Sequence, residues 1–294
     1  MQALFYKSLI LGSKLFGNWL FRLTAGMVAG GYFIFSPRRR AVGRNFYGAL
    51  YPGKSHQQLN YCTFRQFQRF THLFLDRHLQ RENDPLRYTF EGLDYIIEAQ
   101  RREAGAILLM SHMGNWEVAA HALKKRLTDM RLMLLMGIRQ KEAIQKMQKA
   151  SIQSDGITIV GIDKEGGSPF DIVEAVHFLR SGGLLSMAGD VVWREDQRTI
   201  KATLLGHQVQ LPDAPYSLAL ATGAPIIVFF AFRTDGGRYY IRAHEPIHVH
   251  AASRAERPAA IQQAAQTYVN HMQGALRQHP FEWFHFDEFL GPKV

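Results

Sequence analysis

The chain has 294 residues, of which 47% are hydrophobic and 20% are charged. This apolar content suffices for a full core and excludes extensive disorder away from the ends. A net charge of +10 favours an anionic partner, which leaves nucleic acid, anionic lipid headgroups and an acidic carrier protein open. Cys62 is the single cysteine, which excludes an intramolecular disulfide and a cysteine-rich zinc module.

Residues 4–35 are rich in apolar side chains, but lysines and an arginine interrupt them. The longest uncharged stretch, residues 23–37, is shorter than the run of about 20 apolar residues that spans a bilayer. Gly30-Gly31-Tyr32 is a poor cleavage site for a secretory signal. The pattern predicts a helix or a helical pair that lies in the membrane interface, with its apolar side among the acyl chains.

Four arginines follow this apolar segment: Arg38, Arg39, Arg40 and Arg44. Each cation beside an anionic leaflet contributes about 1 kcal/mol to membrane binding. We therefore predict that residues 1–45 form a membrane-associating segment and that residues 46–294 form the main domain. The alternative is that these helices cap the core and that the arginines are solvated.

The main domain begins with aromatic and aliphatic residues at helical spacing over residues 59–81, which predicts a helix buried on one face. From Tyr88 onward, apolar runs of strand length alternate with helical stretches. Strands are predicted at 106–110, 131–136, 157–162 and 184–188, and helices at about 116–126, at 140–152 and from Pro169 with Ser168 as N-cap. This order predicts an α/β domain whose mixed, largely parallel sheet is covered by helices on both faces.

The C-terminal third predicts a helix at 214–221 that ends at Gly223 and a long amphipathic helix at 255–278. Between them, residues 225–232 and 239–243 predict an antiparallel hairpin with a turn at Asp235-Gly236-Gly237. The tail at 281–289 is dense in aromatic residues, and we expect it to pack over the domain or to touch the membrane.

His112 and Glu117 follow the predicted buried strand at 106–110. In an open α/β sheet, ligands bind at the carboxyl ends of the strands, so His112 is expected to face a crevice. Gly114 permits a sharp turn, and Asn115 is a candidate N-cap for the next helix. Glu117 then falls in the first helical turn, from which its carboxylate can reach the imidazole.

A histidine beside a carboxylate is the minimum set for general-base catalysis. The carboxylate fixes the tautomer and stabilises the imidazolium, so the other ring nitrogen can take a proton from a hydroxyl. A thioester is already activated, so an enzyme acting on one needs no nucleophile of its own. The alternative is a structural His112 and a Glu117 that stabilises the helix N-terminus.

The segment from Ser111 to Glu117 resembles the His-x-x-x-x-acid motif of the lysophospholipid acyltransferase superfamily. Its Gly-Asn-Trp-Glu form resembles the bacterial lipid A biosynthesis acyltransferase family. Further resemblance to that family lies in Arg38-Arg39-Arg40 with Arg44-Asn45, in Gly182-Gly183 through Gly189-Asp190, in Leu205-Gly206, and in the run from Ala219 to Pro225. The resemblance extends over most of the chain.

The resemblance implies that residues 46–294 are an acyltransferase domain at the cytoplasmic face of a bacterial inner membrane. The implied reaction moves a fatty acyl group from acyl carrier protein, or from coenzyme A, onto a hydroxyl of a lipid or glycolipid. His112 is implied as the general base and Glu117 as its assistant. No cofactor, metal or nucleic acid is expected.

Four further residues are candidates for substrate binding. Arg139 matches an arginine of the family and is expected to bind phosphate or to stabilise the oxyanion, unless it is a solvated charge at a helix start. Asp190 is expected to orient the substrate or Arg139. Asn115 and Trp116 are expected to line the acyl entrance, and a core position is the alternative for Trp116.

Two other functions stay open at this point. One is a non-catalytic basic protein that binds membranes or nucleic acid; scattered cations and the lack of a nucleic-acid-binding motif disfavour nucleic acid. The other is a hydrolase that uses the same dyad. His121 invites a zinc site, but its spacing from His112 is not that of His-Glu-x-x-His. Glu-Gly-Thr of the glycerolipid branch is absent, which leaves the acceptor open.

Overall fold

The computed structural model describes residues 18–81, 87–101, 105–127, 129–138, 157–163, 169–234 and 237–294. Three helices precede the sheet: α1 (Asn18–Phe35), α2 (Pro37–Leu50) and α3 (His56–Arg81). The chain then continues through β1 (Tyr88–Glu91), α4 (Leu93–Arg101), β2 (Ala106–Met110), α5 (Trp116–Arg126), β3 (Leu132–Ile138), β4 (Thr158–Asp163), α6 (Pro169–Arg180) and β5 (Leu184–Ala188).

The C-terminal third contains four strands and two helices. These elements are β6 (Thr199–Leu204), β7 (His207–Pro212), α7 (Ala214–Thr222), β8 (Ile226–Arg233), β9 (Tyr239–Ala243) and α8 (Arg257–Gln278).

Seven strands form one sheet in the order β1-β9-β8-β2-β5-β3-β4. The five strands from β8 to β4 run parallel to one another, whereas β9 is antiparallel to β8 and parallel to β1. The predicted mixed, largely parallel sheet is therefore confirmed. Strand β2 lies between β5 and β8, and all of its residues are buried, as its unbroken apolar sequence requires.

The sheet separates two apolar layers. Ile107 and Leu109 of β2 point into the layer that contains α7 and α8, while Leu108 and Met110 point into the layer that contains α4 and α5. Successive residues of a strand face opposite sides, so a continuous apolar strand supplies both layers. The prediction that helices cover both faces is confirmed.

Strands β6 and β7 form a separate antiparallel pair that the sequence patterns did not predict. Buried and exposed residues alternate along β6, as expected for a half-buried strand. Leu205 and Gly206 form the two-residue turn with φ angles of 53° and 76°, which is the left-handed geometry of a tight hairpin. Helix α8 covers this pair, and Gln266 bonds both the N–H and the carbonyl of Thr203.

The predicted helices of the described ranges are present with small shifts at their ends. Helix α3 begins at His56 rather than at residue 59, and α8 begins at Arg257. Helix α7 ends at Gly223, whose φ of 76° provides the left-handed C-cap. The predicted helix at 140–152, the N-cap Ser168 and most of the turn at 235–237 lie outside the described residues.

The N-terminal helices pack on α3 and on the main domain. The ring of Phe33 in α1 makes edge contacts with Phe64 and Phe67 of α3, at 5.8 and 6.3 Å between centroids. Helix α2 crosses the predicted boundary at residue 45 and buries Phe46 and Tyr47 in the main core. The boundary itself stays a prediction. None of the helices in the described ranges is long and apolar enough to cross a membrane.

Candidate active site

A five-residue loop connects β2 to α5 and carries His112 on the carboxyl edge of the sheet. Gly114 has φ +74°, and a Cβ atom at this position would lie 1.8 Å from the Ala231 carbonyl oxygen of β8. Glycine is required here because the loop backbone approaches the neighbouring strand so closely. The N–H of Asn115 donates to the same carbonyl at 2.8 Å, which fixes the loop against the sheet.

Asn115 caps α5, as predicted. Its Oδ1 accepts a hydrogen bond from the Val118 N–H at 3.2 Å, and its Nδ2 donates to the Tyr239 hydroxyl at 3.2 Å. Glu117 follows in the first turn of α5 and is buried. Trp116 is half-buried against the apolar layer that contains α4 and α5. The placement of Asn115 and Trp116 at an acyl entrance stays a prediction.

The carboxylate of Asp190 contacts His112. The imidazole Nδ1 lies 3.0 Å from Oδ1 of Asp190, and the backbone N–H of His112 donates to Oδ2 at 2.8 Å. Asp190 follows β5 and His112 follows β2, which are neighbouring parallel strands, so their carboxyl ends meet at one edge. The Asp190 side chain is fully buried, whereas that of His112 is 37% exposed.

Asp190 is ionised at neutral pH. Burial alone raises the pKa of Asp190, but the charge and the hydrogen bond of His112 outweigh it. The charge of His285 and the Trp283 hydrogen bond add to this lowering, and the pKa falls to about 2. An ionised carboxylate is only an acceptor, so Nδ1 of His112 carries the proton and Nε2 is the acceptor of the neutral ring.

The C-terminal tail completes the site from the other side. The indole Nε1–H of Trp283 donates to Oδ2 of Asp190 at 2.9 Å. The N–H of Phe284 donates to the His112 carbonyl at 2.7 Å, and the Gly114 N–H donates to the Glu282 carbonyl at 2.6 Å. The tail therefore packs over the domain, which was one of its two predicted positions.

The structure adds contacts of Asp190 that the sequence did not predict, with His112 and with Trp283. The expectation that Asp190 orients the substrate or Arg139 stays a prediction. Among the described residues, its side chain contacts His112, because β2 and β5 are adjacent, and Trp283. Arg139 lies outside the described residues. The assistance of Glu117 to His112 stays a prediction. The high density of aromatic residues in the tail was the sequence signal for Trp283. That signal did not indicate that Asp190 is its hydrogen-bond partner.

A second buried polar network supports the loop from behind. Asp76 of α3 accepts hydrogen bonds from Arg233 Nε, at 2.8 Å, and from the Tyr239 hydroxyl, which in turn accepts from Asn115. Helix α3 is thereby connected to the N-cap of α5 through Tyr239 of β9. Such a connection restricts the positions that the loop can take.

Glu282 lies beside this network and is also buried. Burial raises its pKa to about 7, although the guanidinium of Arg69, with Nε at 3.8 Å, opposes the rise. The carboxyl group therefore titrates near neutral pH directly behind the loop that carries His112.

The histidine–carboxylate pair lies at the ends of two adjacent strands of an open, largely parallel α/β sheet, which is the edge where such sheets bind ligands, and a pair of this kind is suited to general-base chemistry. Residues 63–290 match the family described as bacterial lipid A biosynthesis acyltransferase, and the chain belongs to this family. Membership indicates an acyltransferase of lipid biosynthesis with an acyl donor and a lipid acceptor, associated with a bacterial membrane. A comparison with curated proteins gave no match.

Proposed function

We propose that the chain transfers a fatty acyl group from a thioester, carried by acyl carrier protein, to a hydroxyl of a lipid or glycolipid, with His112 as the general base. The contact between His112 Nδ1 and Asp190 is the observation that carries the proposal. It supplies the oriented, partly exposed imidazole that such a transfer needs, in a chain whose family is one of lipid acyltransferases. The likeness to the wider lysophospholipid acyltransferase superfamily is part of the same proposal.

In the proposed reaction, Nε2 of His112 takes the proton of the acceptor hydroxyl while that oxygen attacks the thioester carbonyl carbon. The C–S bond then breaks, and the departing thiolate takes the proton back from the imidazolium. The products are an ester and a free thiol. Asp190 holds the Nδ1 proton and stabilises the imidazolium during the step, because it is a buried anion at 3.0 Å.

Glu117 is proposed as a second carboxylate that assists the base. Its burial in the first turn of α5, which directly follows the loop of His112, supports this role. Arg139, Asn115 and Trp116 are proposed to contact the acyl group or the phosphate of a substrate. For Asn115, the hydrogen bonds to Val118 and Tyr239 support an indirect contribution through the loop.

The choice of acyl carrier protein as donor follows the family resemblance, and the positive charge of the chain is compatible with it but does not exclude coenzyme A, which is also anionic. The chain carries 35 Lys and Arg against 25 Asp and Glu, which suits an acidic protein carrier better than a neutral one. Coenzyme A is the alternative thioester, and loading both carriers with the same acyl chain separates the two.

We further propose that α1 lies on the cytoplasmic face of the inner membrane. The helix exposes large apolar side chains over its whole length: Trp19, Leu23, Met27, Val28, Tyr32, Ile34 and Phe35. The exposed Arg38 and Arg39 follow at the start of α2. Apolar side chains beside cations are the composition of helices that bind at the interface of anionic bilayers.

One experiment tests the proposed reaction. The protein is incubated with acyl carrier protein loaded with chains of different length, together with a bacterial lipid extract, and new acylated lipids are identified by mass spectrometry. His112→Ala should lower the rate by about 10² to 10⁴. His177→Ala, an exposed histidine on α6, is the matched control and should retain activity.

Two results would contradict the proposal. Near-normal turnover of His112→Ala would exclude the imidazole as the base. Release of free fatty acid at the same rate with and without lipid, and with no acylated lipid formed, would assign hydrolysis in place of transfer.

A further inference from the structure

We infer that Trp283 is a positioning residue of this site: its indole N–H holds the Asp190 carboxylate in the orientation in which that group accepts from the His112 imidazole. The inference rests on the proposed role of His112 as the base. It gives the C-terminal tail a part in the reaction that no motif of the sequence indicated.

The two oxygens of Asp190 have separate partners. Oδ2 accepts the Trp283 Nε1–H at 2.9 Å and the His112 backbone N–H at 2.8 Å. Oδ1 lies 3.0 Å from Nδ1 of the His112 ring. With two donors on one oxygen, the plane of the carboxylate is fixed, and the other oxygen is directed at the imidazole.

Trp283 is itself firmly held. Its side chain is buried, and its carbonyl accepts a hydrogen bond from Gln66 of α3 at 2.5 Å. The indole is enclosed by the rings of Phe46, Phe289 and His285, with centroids 4.9 to 5.1 Å away. Such a side chain cannot rotate to another partner, so its N–H is a fixed donor in the buried site.

Loss of the indole N–H of Trp283 should make the Asp190 carboxylate more basic. Asp190 is buried, so water does not readily replace the indole, and the carboxylate becomes more basic. A more basic carboxylate attracts the imidazolium more strongly, which raises the pKa of His112. The expected signature is therefore an upward shift of the acid limb of kcat/KM, together with a lower rate at neutral pH.

Four other ionisable groups near this pair bear on the signature: His285, Tyr216, Tyr268 and Glu282. Burial lowers the pKa of His285, which favours the neutral form of this ring at neutral pH. Burial also raises the pKa of the Tyr216 and Tyr268 phenols well above the ordinary value, and both stay neutral. Burial raises the pKa of Glu282, which precedes Trp283, to about 7, so the NMR titration of the His112 ring is needed to assign a shift of the pH profile to the imidazole.

The test compares two full-length variants. Trp283→Phe keeps a buried ring but removes the donor, and Trp283→β-(3-benzothienyl)alanine replaces the N–H by sulfur while keeping the bicyclic shape. Phe284→Leu is the control, because it removes buried ring contacts of the same tail, such as that with Phe70, without touching Asp190. The readouts are the NMR titration of the His112 ring and the pH profile of kcat/KM.

Both Trp283 variants should raise the His112 pKa and lower kcat/KM at pH 7 by about tenfold, the size expected for a lost hydrogen bond to a buried charge. Phe284→Leu should leave the His112 pKa unchanged. An unchanged His112 pKa in the benzothienyl variant overturns the inference, whatever its activity. Near-normal turnover of His112→Ala would instead contradict the proposed function, because His112 would not be the base. The NMR titration of the His112 ring in the Trp283 variants would still decide whether Trp283 acts on this pair.

Discussion

Nδ1 of His112 lies 3.0 Å from Oδ1 of Asp190, although the two residues are 78 positions apart in the chain. The contact exists because β2 and β5 are adjacent and parallel, and each residue follows its strand by the same short interval. Glu117 is closer to His112 in sequence, whereas Asp190 contacts its ring. We propose that Asp190 orients the imidazole and that Glu117 assists it. The first two predictions separate these tasks.

Asp190→Asn should lower kcat by about 10³ while leaving the fold intact. An amide has nearly the same shape, but it cannot stabilise the imidazolium and cannot impose the Nδ1–H tautomer. Steady-state kinetics measure the loss, and circular dichroism monitors the fold. Asp94→Asn, at an exposed position of α4, should have no effect. Turnover of Asp190→Asn within a few-fold of the wild type would exclude Asp190 as the orienting group.

Glu117→Gln should also impair transfer severely, but less than His112→Ala, if Glu117 assists the base. The amide keeps the hydrogen-bonding shape and removes the charge. The free energy of unfolding is measured alongside kcat, because a glutamate in the first turn contributes about 0.3 to 1 kcal/mol through the helix dipole. Near-normal kcat with a loss of stability in that range would assign Glu117 to α5 and not to catalysis.

Gly114→Ala should destabilise the protein by about 3 kcal/mol, because a left-handed φ costs about 1 to 2 and the clash with Ala231 adds a similar amount. A Cβ atom at residue 114 would meet the Ala231 carbonyl oxygen at 1.8 Å. Gly206→Ala is the matched control, since its φ is +76° and nothing lies within 4 Å of its Cβ position.

Denaturant unfolding measures both glycine variants. Both variants lose free energy of unfolding because of the left-handed backbone. The larger loss in Gly114→Ala therefore measures the cost of the contact with Ala231. Equal destabilisation of the two would show that the loop moves away from β8 at no cost, and the position of His112 would then be less fixed than the structure indicates.

Most strands of the sheet were predictable because apolar residues dominate their sequences, as in β2 and β5, whereas the short edge strand β1 was not predicted. The hairpin β6–β7 was not predicted either, because half of β6 is exposed and polar, and Leu205-Gly206 is a weak turn signal. The motif pointed to His112 and Glu117 by their proximity in sequence. The contacts of Asp190 and Trp283 depend on strand order and on the path of the tail, which local patterns do not encode.

Glu282→Gln should stabilise the protein more at pH 8 than at pH 5. Burial raises the pKa of Glu282 to about 7, above its value in the unfolded chain, so the folded state loses stability as the pH rises through about 7. The glutamine variant does not titrate. Its stability relative to the wild type should therefore increase between these pH values, by at most about 3 kcal/mol.

Chemical denaturation of wild type and variant at both pH values provides the measurement for Glu282. The difference between the two proteins cancels the contribution of every titratable group that they share. Glu195→Gln, at an exposed position, is the control and should show no such trend. A relative stability that is independent of pH would mean that Glu282 ionises in the folded protein as easily as in water.

Binding of α1 to anionic vesicles should divide into an apolar part and a charged part. Replacing Leu23, Met27 and Ile34 by serine should weaken binding at least tenfold at any salt concentration, because burial of apolar area is insensitive to screening. Arg38→Gln with Arg39→Gln should weaken binding at low salt and lose its effect at high salt, since charges are screened over about 10 Å at 0.1 M. Sedimentation with vesicles measures both.

The control for these vesicle experiments is Ile172→Ser with Val173→Ser, which removes exposed apolar side chains from α6. It should bind like the wild type, because α6 is not part of the proposed membrane surface. If the α1 variant also binds like the wild type, α1 is a cap on α3 and not an anchor. The enzyme would then have to meet its lipid through another surface, and activity on membranes would survive the loss of the apolar side chains of α1.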